Sequence, residues 1–243
     1  MEWHVAINRL EPHVVRILTP DGSGTGWLVS SSKTSSLRAI ATAAHVIDHA
    51  HFWEEPIRLF HPSSGKTVLL KPDQRAINVD AQQDVASIVF QEVEFEFPPE
   101  PYPLIPKSKF TKPGVEIGWL GFPAILRAGL CFFSGRISAY LHDDSMYLVD
   151  GVAINGVSGG PAFRLEQDNP LLMGVVSAYI PNRATGDVLP GVAVVRNAGP
   201  FHDVAERFHS FDEAKSQETQ PTEPPPQPVN EAETPSRGPR QAP

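Results

Sequence analysis

Short apolar or alternating runs, separated by turn residues, recur along most of this chain. They are HVVRIL (13–18), GWLVS (26–30), RAIATAAHV (38–46), IRLF (57–60), KTVLL (66–70) and DVASIVF (84–90) in the first part. Later come VEIGWLGF (115–122), LCFFSGRISAY (130–140), MYLVDGVA (146–153), GPAFRL (160–165), LLMGVVSAYI (171–180) and GVAVV (191–195). About a dozen short strands at this spacing predict an all-β sandwich or barrel. The connections lack the helical period that a parallel βαβ sheet needs. One late segment, GPFHDVAERFHSF (199–211), does carry it: Phe201, Val204, Ala205 and Phe208 fall on one face of a helix.

Beyond Phe211 the pattern vanishes. Residues 211–243 are rich in Pro, Glu, Gln and Thr and hold almost no bulky apolar side chain. Such a segment cannot offset its ordering entropy by burial and is expected to be disordered. Its PPPQPV stretch is either solvated tail or a polyproline ligand for a partner. The folded domain is expected to span 1–210, without internal repeats of fixed period.

Composition narrows the class. With 41% hydrophobic residues the 243-residue chain can bury a sizeable core, and its 25 Pro and 18 Gly imply many turns. A formal charge of −8 argues against nucleic acid as a partner. A single cysteine, Cys131, excludes an intrachain disulfide; set in LCFF, it is expected to be core packing. The N-terminal MEWHVAINRLEPHVVRILTP does not resemble a signal peptide, and no apolar run is long enough to span a bilayer. These features lead to the expectation of a cytoplasmic protein that engages no membrane.

The chemistry gathers around INGVSGGPAF (154–163). Small residues crowd Ser158, as expected where the backbone must bend tightly. An alcohol becomes a useful nucleophile only with a base to take its proton and donors to hold the developing oxyanion. The N–H groups of Gly156 and Ser158 are spaced so that a turn through Val157 aims both at one point; the bland reading is a glycine-rich turn with an incidental serine. Among nine histidines, His45 stands out at the end of AIATAAHV, where Ala41, Ala43 and Ala44 leave room for an imidazole. A carboxylate to orient it is offered by Asp84, at the mouth of the strand DVASIVF, with Asp80 as runner-up. His49 and His51 lack the company of a zinc site and read as surface.

The order His, Asp, Ser, with TAAHV (42–46), a D-x-A strand and NGVSGGPAF (155–163), resembles the trypsin-like serine peptidases. The chain looks nearest to their bacterial, disulfide-free branch, which includes the high-temperature-requirement proteases. GSGTGWLVS (22–30), GWLGFP (118–123), SGRISAY (134–140) and GVVSAY (174–179) extend the likeness from about residue 13 to 197. The resemblance implies two six-stranded antiparallel β-barrels packed face to face, the second starting near residue 105. It further implies His45 as general base, Asp84 as its orienter and Ser158 as nucleophile, with an oxyanion hole from the N–H groups of Gly156 and Ser158. Ser177, Ala178 and Tyr179 would wall the substrate pocket and pair with an extended substrate, with Val152 and Ala153 near its base. That pocket suggests a small or medium apolar residue before the cut, unless a shift of register brings in Asp150. No metal or cofactor is implied.

Departures from the family refine this picture. Val157 stands where activation-cleaved members carry an aspartate, so the oxyanion loop must be held by packing, preformed or awaiting a partner. The peptide-binding domain of the high-temperature-requirement proteases is not expected here. Stand-alone bacterial relatives suggest a protein substrate, including an effector in antiphage defence, and an activating partner. The rival reading is a catalytically silent pseudoprotease that binds protein.

Overall fold

The computed structural model describes residues 3–92, 94–125, 129–167, 169–181 and 188–218, with only the backbone of 178–181 and 188–190. The first half builds one antiparallel sheet. Its strands are β1 (Val14–Leu18), β2 (Ser23–Ser31), β3 (Leu37–Thr42), β4 (Ile57–His61), β5 (Lys66–Leu70), β6 (Arg75–Asp80) and β7 (Val85–Gln91). Helix α2 (Ala44–Phe52) lies between β3 and β4. The strand order is β5-β4-β1-β2-β3-β7-β6.

Seven strands that curl without closing replace the expected six-stranded barrel. The edges β5 and β6 are not paired with each other. The Arg75 guanidinium donates to the carbonyls of Leu70 at the end of β5 (2.7 Å), Glu55 after helix α2 (2.6 Å) and Ala50 within it (3.2 Å), tying β6 to the end of that helix. Phe95 and Phe97, from the chain after β7, complete the core of this half around Ile17, Leu28, Ile40 and Leu59.

The second half is a closed barrel. It consists of β8 (Glu116–Gly121), β9 (Cys131–Leu141), β10 (Met146–Asp150), β11 (Pro161–Glu166), β12 (Asn169–Pro181) and β13 (Val188–Asn197), in the order β10-β13-β12-β11-β8-β9. Trp119, Tyr147, Val149, Met173 and Val195 fill its interior.

A third apolar cluster joins the halves. Trp27 and Val29 of β2 meet Leu120 and Phe163 there, together with residues of two helices. Helix α1 (Trp3–Leu10), absent from the sequence-based expectation, buries Ala6 and Leu10, and its Trp3 ring lies 5.2 Å from that of Phe132. Helix α3 (Gly199–Glu218) packs Phe201 edge-on against Trp27 at 5.6 Å. Because both its faces meet apolar neighbours, β2 is buried over nearly its whole length rather than alternating.

Three further expectations need correction. The late helix continues to Glu218, so residues 211–218 are ordered rather than tail. Asp212 anchors them by accepting from Ser32 Oγ (2.6 Å), Thr34 Oγ1 (2.7 Å) and the Lys33 N–H (2.8 Å), with its pKa held down to about 2 by these bonds against the opposing push of burial. Residues 219–243, including PPPQPV, lie outside the described residues. The run 38–46 is strand only to Thr42, and RAINVD, which alternates weakly, is a strand. Cys131 is half-buried at the start of β9, not a core residue. No described helix is long and apolar enough to cross a membrane.

Candidate active site

His45, Asp84 and Ser158 come from three separate pieces of chain. β3 ends at Thr42, Ala43 is extended, and His45 enters in the first turn of α2. The buried alanines at 41, 43 and 44 allow the strand to turn directly into the helix beside the core. Asp84 precedes β7 with φ of 51°, a left-handed conformation that aspartate tolerates better than most residues.

The Asp84 carboxylate grips both backbone and ring of His45. Oδ1 accepts the His45 N–H at 3.0 Å, and Nδ1 of the imidazole lies 2.9 Å from Oδ2. An ionised carboxylate only accepts, so Nδ1 carries the proton and Nε2 keeps its lone pair in the neutral ring. The Ser177 hydroxyl also donates to Oδ2. Burial pushes the Asp84 pKa up, but the bonds from His45 and Ser177 outweigh it and hold the group below the usual carboxylate range. The bond to Asp84 raises the His45 pKa, with burial opposing.

Ser158 shares a cleft of roughly 610 Å³ with His45, Gly156, Asn155 and Ala124. Its Oγ donates to the Ser177 carbonyl at 3.1 Å. The loop around it is fastened on several sides. Asn155 O accepts from Ala124 N–H (2.7 Å), Gly156 O from the Thr25 hydroxyl (2.8 Å), and Ser158 O from Thr25 N–H (2.8 Å). Among the described residues, neither the Gly156 nor the Ser158 N–H is bonded to a protein acceptor. Two glycines make this path feasible. Gly156 has φ of 90° and Gly159 of 85°, and a Cβ on Gly159 would run into Thr25 O and Thr42 Oγ1. Val157 is fully buried among the second-half core residues and lies against Gly121, as packing in place of an ion pair requires.

A family profile described as "Trypsin-like peptidase domain" matches residues 24–171, more than half of the chain. The chain belongs to the trypsin-like peptidase family. Among solved structures, this member of the family is similar to a serine endoprotease from Yersinia pestis, at 20% identity and a TM-score of 0.62. That match covers 86% of this chain and 66% of the Yersinia chain, just under two thirds. An inactive-form mutant of Rv3671c from M. tuberculosis H37Rv is 19% identical with a TM-score of 0.55, over 90% of this chain and 93% of that one. The inactive form of the Rv3671c protease gives 20% and 0.57, covering 86% and 91%. At these identities the likeness is one of fold. No curated protein sequence matches the peptidase significantly.

The other residues singled out from the peptidase's sequence divide. Asp80 accepts from the Gln83 N–H at 2.9 Å, a turn contact away from the imidazole. Ser177 is buried, with its hydroxyl turned to Asp84 rather than presented as a pocket wall. Val152 is exposed and Ala153 packs partly on the second-half core. The side chains of Ala178 and Tyr179 lie outside the described residues, although the Tyr179 backbone pairs with Ala193 in the barrel. His49 faces Glu55 at 3.3 Å. No set of three metal-ligating side chains gathers among the described residues. Thr25 was not singled out, and the only sequence signal for it is its place between two glycines in GSGTGW.

Proposed function

We propose that this chain is an active serine endopeptidase in which Ser158 is the nucleophile, His45 the general base and then acid, and Asp84 the group that orients and stabilises the imidazole. The observation that carries the proposal is the Asp84 carboxylate held on Nδ1 of His45, with that ring and the Ser158 hydroxyl on one cleft. This arrangement leaves the other ring nitrogen basic.

The resting Ser158 hydroxyl is engaged with the Ser177 carbonyl. An extended substrate that pairs with β12 brings its own N–H to that carbonyl and releases the hydroxyl toward His45. Ser158 Oγ then attacks the peptide carbonyl carbon as Nε2 takes its proton. The resulting oxyanion is received by the N–H groups of Gly156 and Ser158. Collapse breaks the C–N bond, His45 protonates the leaving amine, and water, deprotonated by His45, hydrolyses the acyl-enzyme.

The substrate in this proposal is a protein, such as an effector, and turnover is governed by a partner or signal. What supports control is the loop's construction. Val157 is held by packing, and Asn155 by one bond to Ala124, so a partner that repacks either site moves the oxyanion donors. The pseudoprotease reading is disfavoured by an intact His–Asp–Ser set and unengaged loop amides. A fluorophosphonate probe separates the two. Labelling of the wild type that disappears in Ser158→Ala supports the enzyme; no Ser158-dependent labelling overturns it.

A further inference from the structure

Thr25 lies on β2 in the first half, is fully buried, and uses every polar group it has on the machinery around the cleft. Its hydroxyl donates to Gly156 O at 2.8 Å and accepts from Phe122 N–H at 3.0 Å. Its own N–H donates to Ser158 O at 2.8 Å, and its carbonyl accepts from Thr42 Oγ1 at 2.7 Å. Thr42 closes β3, immediately before the turn that delivers His45. One residue therefore joins the strand before the histidine, the chain after β8, and both ends of the Gly156–Ser158 turn.

The geometry points to Thr25 as the positioning residue of the oxyanion hole, acting through the peptides of Gly156. This inference rests on the peptidase reading given above. A trans peptide points its N–H opposite its carbonyl. Bonding of Asn155 O to Ala124 N–H therefore turns the Gly156 N–H the other way. That peptide can still rotate unless the next one is also fixed, and Gly156, at φ of 90°, offers little steric resistance of its own. That next peptide is held at both ends: Val157 N–H donates to Ile154 O (3.0 Å), and the Thr25 hydroxyl holds Gly156 O from the first half. The Ser158 N–H is fixed in the same manner: the carbonyl of its peptide, Val157 O, accepts from the Gly160 N–H (3.0 Å), and the peptide beyond is held by Ser158 O on Thr25 N–H.

The hydroxyl meets neither substrate nor the reacting atoms. It is already committed to two backbone groups on buried residues, Gly156 O of the nucleophile loop and Phe122 N–H after β8. A valine in its place keeps the shape and β-propensity but removes the hydroxyl, so Gly156 O loses its Thr25 donor and Phe122 N–H its acceptor. A serine keeps the donor. The bonds of the Thr25 backbone survive both changes, so the two variants isolate the hydroxyl.

The test uses the full chain, with fluorophosphonate labelling rate, peptide kcat and KM, and the inhibition constants of a peptide boronate, whose tetrahedral adduct occupies the oxyanion site. Each sample is first checked for folding by its melting curve. Thr25→Val is expected to lower kcat and the labelling rate by roughly tenfold or more, within the range for loss of one oxyanion donor. Boronate affinity should fall in parallel, with KM little changed, and Thr25→Ser should restore all of these. A merely structural residue would lower the melting temperature without this split between kcat and KM. A folded Thr25→Val with wild-type labelling, or a Thr25→Ser as impaired as Thr25→Val, overturns the proposal. If Thr25→Val does not fold, Thr25→Ala takes its place; failure of both to fold overturns it too, by reducing Thr25 to a structural role. Absence of Ser158-dependent labelling in the wild type instead overturns the peptidase reading itself.

Discussion

The hydroxyl of Ser177 and the imidazole of His45 share one oxygen of the Asp84 carboxylate. Ser177 thereby serves the cleft twice, since its carbonyl also receives the Ser158 hydroxyl. β12 thus connects both ends of the His–Asp–Ser constellation.

Replacing Ser177 by alanine removes a donor from a half-buried carboxylate but leaves the backbone carbonyl in place. Hydrogen bonds to charged groups contribute about 1.5–3 kcal/mol. Only part of that appears in catalysis, because Asp84 keeps its bonds to His45. A fall in kcat/KM of roughly tenfold is expected, with substrate preference unchanged. Steady-state kinetics on one peptide series checks this.

Asp84→Asn should be far more damaging, because a carboxamide cannot stabilise the imidazolium and favours the wrong tautomer. The expected loss in kcat is about 10⁴-fold, the order known for this substitution in a serine-protease triad. In the proposed mechanism His45 acts as base only when neutral, and Asp84 raises its pKa. The acid limb of the pH–rate profile should therefore lie above the usual imidazole value. In the variant's residual activity it should move to lower pH.

The same pair makes stability depend on pH. His45, with a raised folded pKa, contributes fully below its unfolded value and loses that contribution as pH climbs through the folded one. Asp84, with a lowered folded pKa, contributes above its unfolded value and loses it as pH falls through the folded one. The difference in melting temperature between wild type and Asp84→Asn should be largest at about pH 4 to 6.5, between the two reference values. It should shrink toward both extremes.

Gly159→Ala introduces a Cβ at positive φ, aimed at Thr25 O and Thr42 Oγ1. The left-handed conformation alone costs about 1–2 kcal/mol. Relieving the clash must also move the strand that leads to His45. Loss of fluorophosphonate labelling together with a lowered melting temperature is expected; a fully reactive variant would show that the turn has room to adapt.

Asp212→Asn tests the attachment of α3. The carboxylate's pKa is held at about 2, so its contribution is present at neutral pH and fades as pH falls from about 4 toward 2. Faster amide exchange over residues 211–218, with Trp27 and Phe201 still protected, is the expected result by hydrogen exchange.

The sequence by itself determined most of the strands and pointed to the candidate site residues. Period-two and apolar runs mark β1 to β5 and β7 to β13 because burial on a sheet face imposes that spacing locally. Small residues around His45 and Ser158 mark the turns because backbone bending excludes larger ones. Only the tertiary structure decided what depends on distant partners. RAINVD alternates too weakly to announce β6, whose place follows from pairing with β7. Helix α1 is ordered by packing its Trp3 on Phe132 and Phe163. The end of α3 is held by an aspartate meeting the Ser32–Thr34 loop. The Arg75 bonds to Glu55 and Ala50, and those of Thr25 and Ser177 around the cleft, are contacts with residues remote in sequence. A hydroxyl's partners are set by where the fold brings carbonyls and carboxylates, and no local pattern along the chain encodes that meeting.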